Sequence, residues 1–280
     1  MVLLASLLLA KKPTTLFTGA PILQKIVATA RREKWTELSF GELVAKVGLS
    51  LQGTPYVGFT LETDDKVESC VVKLDGLDCV TFYESSLGIA RMLMRGKASS
   101  EDLANEIRQM RYRGGKQTDY LSRIHYTSEW FDDNDRRGIV ANLTPKLPGV
   151  ERIKGKPFDF MSSHPKLYRQ LRANPDYVTR LAAMEKALSD RAPFYLPKLQ
   201  LPVVESLLES GDVIGITTTK KGLDTSHTAL LYRDEEGCLR ILHASSTQKK
   251  VVLGDRLVTY LNGIDSDTGI IVGRPLPPKR

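Results

Sequence analysis

The chain is poor in the residues that staple small folds or build metal centres. Its 280 residues include three cysteines, Cys70, Cys79 and Cys238, and four histidines. An odd, sparse set of cysteines in a chain this long excludes a disulfide framework. No Cys-x-x-Cys pair and no His-Glu-x-x-His helix occurs, so no familiar zinc spacing is present and no metal or other cofactor is expected. Repeats, low-complexity tracts and Pro/Ser-rich linkers are missing as well, which leaves one domain over residues 11–280 as the simplest division. Long apolar runs are absent too. The only candidate, "VLLASLLLA" at residues 2–10, is too short to span a bilayer. It ends on a small residue, like the apolar region of a secretory leader, but no Lys or Arg precedes it. An exported, periplasmic protein is the expectation, with a buried segment of a cytoplasmic protein as the alternative.

Concentrated charge is also lacking. The net charge is +7, yet the basic residues fall in small clusters, such as "RQMRYRGGK" at 108–116, with acidic residues between them. A nucleic-acid binder would show a denser stripe interleaved with aromatics. The surplus reads as a solvated basic surface that favours anionic partners.

What is present is a change of period along the chain. Apolar residues recur at helical spacing in "PILQKIVATARREK", in "SFGELVAKVGLSLQG" with a Ser39/Glu42 capping box, and over residues 80–95, where Gly96 is the stop. "SSEDLANEIRQMRY" gives a further helix capped by Ser100, "YLSRIHYTSEWFDDN" another, and residues 165–190 two more, broken at Pro175. "VESCVVKL" reads as a lone strand. After residue 210 short β-type runs take over: "GDVIGITTT", "SHTALLYRD", "CLRILHASS", "KKVVLG" and "TGIIVGRPL", interrupted by one helix, "DRLVTYLNG". Helices first and an antiparallel sheet last is an α+β arrangement, with a helical insertion at about 97–200.

Cys79 stands at the start of the helix over 80–95. There the unpaired amides and the positive end of the helix dipole favour a thiolate and lower its pKa; the other reading is a buried core cysteine. A nucleophilic cysteine needs a base, and the base needs an orienter. "DEEG" joins the runs that hold His227 and His243. With a three-residue loop and Gly237 left-handed, Asp234 pairs with Cys238, and the two histidines become diagonal neighbours on one face. A four-residue loop would put them on opposite faces. Read as a helix, "SRIHYTSEW" sets Arg123, Tyr126 and Trp130 on one face, with His125 elsewhere. Arg123, His125 and Trp130 are therefore candidates for substrate contact, with an amphipathic core helix as the other reading. Ser162 is a candidate hydroxyl donor, and His164 a loop cap.

"GTPYVGFTLE" (53–62), "LDGLDCVTFYES" (74–85), "GLDTSHTALLY" (222–232) and "LHASS" (242–246) together resemble the NlpC-type cell-wall cysteine peptidases. That superfamily has a papain-like fold, with a cysteine at a helix N-terminus packed on a small sheet that carries the base. Val80-Thr81 after the cysteine, where Ser-Gly is common, departs from the general pattern. With "RYRGG", "FMSSHP" and "GDVIGITT" it resembles the N-acetylmuramoyl-L-alanine amidase-like branch. The resemblance implies Cys79 as nucleophile, His227 as base and His243 as orienter, with muropeptides as substrate and the lactyl-L-Ala amide as the bond cleaved. It also implies Tyr56 and Asp78 as residues of the first subsite. A γ-D-glutamyl-diamino-acid endopeptidase and a non-catalytic wall- or lipid-binding module are the alternatives on the same fold.

Overall fold

The computed structural model describes residues 14–279, so the leader-like segment lies outside the described residues. The strands are β1 Thr14–Thr18, β2 Ser69–Lys73, β3 Val140–Asn142, β4 Glu151–Arg152, β5 Phe194–Pro197, β6 Val213–Thr218, β7 Thr225–Arg233, β8 Leu239–Ser245, β9 Lys250–Arg256 and β10 Asp267–Pro275. The helices are α1 Ala20–Arg32, α2 Phe40–Ser50, α3 Cys79–Met94, α4 Ser100–Arg111, α5 Thr127–Arg136, α6 Phe160–Ser163, α7 Arg169–Ala173, α8 Pro175–Asp190, α9 Leu201–Val204 and α10 Leu257–Asn262. The main sheet runs β4-β5-β10-β6-β7-β8-β9, with β3 added on β10, and every pairing in it is antiparallel. A parallel pair, β1 and β2, stands apart. Among the described residues no helix is long and apolar enough to cross a membrane.

The sheet is buried on both faces, and alternation along its strands shows how. Val213, Leu230, Leu242 and Ile271 point to a core shared with α1–α4. Their neighbours Ile214, Leu231, Ile241, Ile270 and Val272 point to a second core with α9 and α10. The approach of α2 is close: a Cβ at Gly48 would sit 2.9 Å from Leu242 Cδ2 and 3.0 Å from Leu230 Cδ1, so any larger residue would have to push those leucine ends aside. A third cluster, with Tyr126, Phe158, Met161, Leu171 and Leu181, packs α6–α8 together.

Two expectations shift. The cap of α4 is Ser99, one residue before Ser100, because its hydroxyl accepts from the Asp102 amide and Asp102 answers at the Ser99 amide. Residues 97–200 also contribute β3, β4 and β5, which are too short to show a period of two.

A buried ion pair ties the first core together. Arg111 at the end of α4 reaches Glu84 of α3 at 2.7 Å, with both side chains almost fully enclosed, and it donates to the Val71 carbonyl of β2. Burial raises the Glu84 pKa, and Arg111 opposes that rise. Arg111→Met would strand the carboxylate and is expected to cost about 3–5 kcal/mol in urea unfolding. The Glu84→Leu/Arg111→Met double variant should lose clearly less, and a double variant no better than the single would refute this account.

Candidate active site

Cys79 is placed by its surroundings before and after it. The segment 53–57 is laced between β9 and the turn that leads into α3. The Tyr56 amide donates to the Lys249 carbonyl, the Val57 amide to Leu77, and the Leu77 amide to Pro55. Gly76 lets the two segments touch, since a Cβ there would lie 2.7 Å from Val57 Cγ2. Asp78 then caps α3. Its Oδ1 accepts from the Val80 amide at 3.1 Å, the Thr81 amide at 2.8 Å and the Thr81 hydroxyl at 2.8 Å, while Thr81 Oγ1 accepts from the Asp78 amide. Cys79 is therefore the first residue of the helix, half-buried in the wall of a cavity of about 510 Å³.

The histidines arrive from the hairpin. Gly237 has φ 78°, the Asp234 amide donates to the Cys238 carbonyl, and Arg233 pairs with Leu239. This is the three-residue-loop register, and it brings His227 Nε2 within 2.6 Å of His243 Nδ1. Tyr260 of α10 lies over the pair, its ring 5.4 Å from His243 and 6.3 Å from His227. Since His227 spends Nε2 on His243, its Nδ1 is the nitrogen left for another partner. His227 and Cys79 line the same cavity.

The electrostatics correct one expectation. The Cys79 thiol is not lowered by its helix start; it is pushed up to about 11, first by burial and then by the Asp78 carboxylate. The Thr228 hydroxyl, the Thr228 amide and the residue's own amide oppose the rise. Burial, with the neighbouring His243, pulls His227 down to about 3, and burial pulls His243 down to about 4. At neutral pH the resting site is an uncharged thiol beside uncharged imidazoles. Tyr56 lines the cavity, and burial with Cys79 and Asp78 raises its hydroxyl to about 12. Asp78 also lines the cavity, but its Oδ1 is committed to the cap.

The remaining candidates separate. Arg123 and His125 line the cavity, but not from a helix. Arg113 donates to the carbonyls of Leu121 and Arg123, and the Ile124 amide to Arg111, so residues 123–126 are extended and α5 starts only at Thr127. Arg123 is buried 3.2 Å from Glu68 and 3.7 Å from Glu62, with its guanidinium carbon 4.9 Å from the Tyr120 ring centre. His125 Nε2 meets the Tyr120 carbonyl at 3.1 Å, and burial holds its pKa well below the usual value. Trp130 lies outside the cavity. It packs edge-on to Tyr83 and Phe131 in the first core, because the later helix start turns it inward. Ser162 is also outside: its amide donates to Glu185, and its side chain lines a separate cavity beside Lys186, while the adjacent Met161 faces Cys79's cavity. His164 Nδ1 donates to the Phe160 carbonyl, and its ring stacks on the Phe160 ring.

Sequence reasoning missed Thr228, Tyr260 and Phe59. Thr228 follows His227 directly, so strand alternation turns its side chain to the other face without showing that α3 begins beneath it. Phe59 lines the cavity mouth with 89% of its surface exposed and a left-handed φ of 59°, rare for an aromatic residue.

A helix-start cysteine and a sheet histidine that line one cavity, the histidine backed by a second, define a candidate hydrolase site. The chain belongs to the AmiA-like, N-acetylmuramoyl-L-alanine amidase-like family, whose profile matches residues 46–270. Among solved structures it is similar to an N-acetylmuramoyl-L-alanine amidase from Bacteroides uniformis ATCC 8492, with 35% identity and a TM-score of 0.77 over 84% of this chain and 98% of that one. A Bacteroides fragilis protein provisionally named a xylanase is 37% identical, with a TM-score of 0.74 over 82% and 99%. A Legionella pneumophila protein at 23% identity, with a TM-score of 0.70 over 93% and 95%, shares the fold. No curated protein matches the chain.

The buried histidines carry a pH signature. Both folded pKa values lie below the ordinary 6.5, so the unfolded chain takes up protons that the folded chain refuses. Their contribution to stability is intact above about pH 6.5 and is lost as the pH falls towards 4 and 3. Carboxyls raised by burial, such as Glu84 and Asp224, act in the opposite sense. The difference between wild type and His227→Asn/His243→Asn isolates the imidazoles: the urea midpoint should fall more steeply from pH 6.5 to 4 in wild type. Parallel curves would contradict a buried neutral pair.

Proposed function

We propose that the chain is a cysteine amidase of peptidoglycan fragments, of the NlpC-type, that cleaves the amide between the lactyl group of N-acetylmuramic acid and L-Ala of the stem peptide. The observation that carries this is the 2.6 Å contact between His227 and His243, with His227 lining the same cavity as Cys79, in a chain of an amidase-like family. In this reading Cys79 Sγ attacks the lactyl carbonyl carbon as its proton passes to His227 Nδ1. Protonated His227 then donates from Nε2 to His243 Nδ1, which requires His243 to carry its own proton on Nε2. The oxyanion is met by the Cys79 amide, since Asp78 takes only the two amides that follow. Collapse breaks the C–N bond, and His227 returns the proton to the L-Ala amine. Water activated by His227 hydrolyses the thioester, freeing the muramoyl carboxylate and the thiol. No cofactor enters.

A neutral thiol and a neutral base suit this order, because proton transfer accompanies attack and no resting ion pair has to be held in a buried site. The mouth supports a sugar-bearing substrate: the exposed ring of Phe59 and the half-buried ring of Tyr56 offer apolar faces to a pyranose. A glycosidase would need two free carboxyls across the bond. The cavity carboxylates are spent otherwise: Asp78 on the cap of α3, Asp224 on the Ser128 amide and hydroxyl, and Glu62 on Tyr120 and the Gln170 amide. This weighs against the chemistry in the Bacteroides fragilis protein's name.

Incubation with a disaccharide-tetrapeptide and mass spectrometry of the products tests the reading. Free tetrapeptide and free disaccharide are expected, and release of an L-Ala-D-Glu dipeptide conjugate would point instead to an endopeptidase. Cys79→Ala should abolish turnover. His243→Ala should lower kcat by about 10²-fold while KM changes little, as removal of an orienting group would. Full activity in Cys79→Ala would end the cysteine mechanism.

A further inference from the structure

Thr228 follows the base but does not share its face. Along β7 the odd residues Ala229 and Leu231 enter the second core, whereas Leu230 enters the core that contains α3. Thr228 lies in register with Leu230, so its side chain points towards the face on which α3 packs. There it is 1% exposed. Its hydroxyl has no hydrogen-bond partner among the described residues, although it lines the cavity that Cys79 also lines. A buried, unpaired hydroxyl is costly in such a position unless something needs its proton.

We propose that the Thr228 hydroxyl is a further catalytic residue, the donor that stabilises the Cys79 thiolate as its proton leaves for His227. The inference rests on Cys79 as the nucleophile, not on the identity of the amide cleaved. The other groups facing the sulfur do not supply this donor. On its own helix, Asp78 is an anion and Tyr83 is enclosed in the core. Burial pushes the hydroxyls of Tyr56, from the laced segment, and Tyr260, from α10, up to about 12, and neither eases the rise at Cys79 as Thr228 does. His227 receives the proton, and His125 on the opposite wall is neutral and bonded to the Tyr120 carbonyl. The Thr228 backbone amide favours the thiolate as well, so main chain and side chain of one residue act in the same sense.

Alkylation of Cys79 by iodoacetamide, followed by peptide mapping to separate it from Cys70 and Cys238, reads the thiolate without any muropeptide. In Thr228→Val, alkylation of Cys79 at pH 7 should slow about tenfold or more, and its apparent pKa should rise by about one unit, the loss expected for a hydrogen bond to a charged group. Thr228→Ser should keep the wild-type profile. The urea midpoint of Thr228→Val should equal or exceed that of wild type, because valine keeps the shape and removes the unpaired hydroxyl. If that variant does not fold, Thr228→Ala takes its place in the same comparison. A folded variant lacking the hydroxyl but alkylating with the wild-type profile overturns the proposal. Lost muropeptide cleavage in wild type, with the alkylation shift intact, would overturn the amidase reading alone.

Discussion

The carboxylate of Asp78 does two things that oppose each other. As the cap of α3 it satisfies the Val80 and Thr81 amides and so fixes which residue begins the helix. That helix is buried over nearly all its length between α2, α4 and the sheet, so its start cannot slide without moving the first core. A side-chain cap is worth about 1 kcal/mol, and here it also sets the position of the sulfur. Yet the same negative charge sits next to Cys79 and, with burial, pushes the thiol up to about 11. The helix dipole, which should help a thiolate, is met at its positive end by an anion.

The rest of the site fits that constraint. A permanent thiolate–imidazolium pair would have to survive both burial and Asp78. Burial instead lowers both histidines, and the 2.6 Å contact between them joins two neutral rings. A neutral imidazole that gives its Nε2 proton to a second imidazole keeps Nδ1 free as an acceptor, so in the proposed mechanism His243 fixes the tautomer of His227 as well as its angle. A carboxylate in the place of His243 would favour the imidazolium more strongly. Histidine leaves the base uncharged until a proton arrives, which suits a site where no charge is wanted at rest. Charge then develops only during the reaction, where prealigned donors at the helix start and on β7 count most.

Much of this frame is legible in the sequence because it depends on local chemistry. Asp234 and Gly237 dictate the hairpin turn, the turn dictates the register, and the register puts two histidines on one face. The Ser39/Glu42 box and Gly96 mark helix ends for similar reasons. What failed depends on distant partners. The helical spacing in "SRIHYTSEW" is real, but Arg113, eight or more residues earlier, holds the Leu121 and Arg123 carbonyls and keeps the chain extended to residue 126. That delay rotates Trp130 into the core. Ser162 missed the cavity by one residue on a single-turn helix, which no periodicity can resolve. Thr228 was hidden because period two says that its side chain opposes His227, but not that α3 begins beneath it.

The segment 97–200 is more than decoration on a catalytic frame, and its polar contacts explain why. Cys79, His227 and His243 come from α3 and the sheet, but much of the opposite wall of the cavity comes from residues 123–127, 161 and 167–172. Those pieces are tied to the laced segment's continuation by buried charges: Glu62 accepts from the Tyr120 hydroxyl and the Gln170 amide, and Glu68 accepts from the Tyr112 hydroxyl and the Gln170 side chain while pairing with Arg123. A second tie runs from the Tyr126 hydroxyl to Glu185 of α8. Buried polar networks of this kind admit few alternative arrangements, because each broken bond strands a polar group in a low dielectric. The wall is therefore as fixed as the nucleophile. In the proposed mechanism the cysteine and its histidines would act on any amide brought within reach, so discrimination between a lactyl amide and a γ-glutamyl amide would fall to that wall.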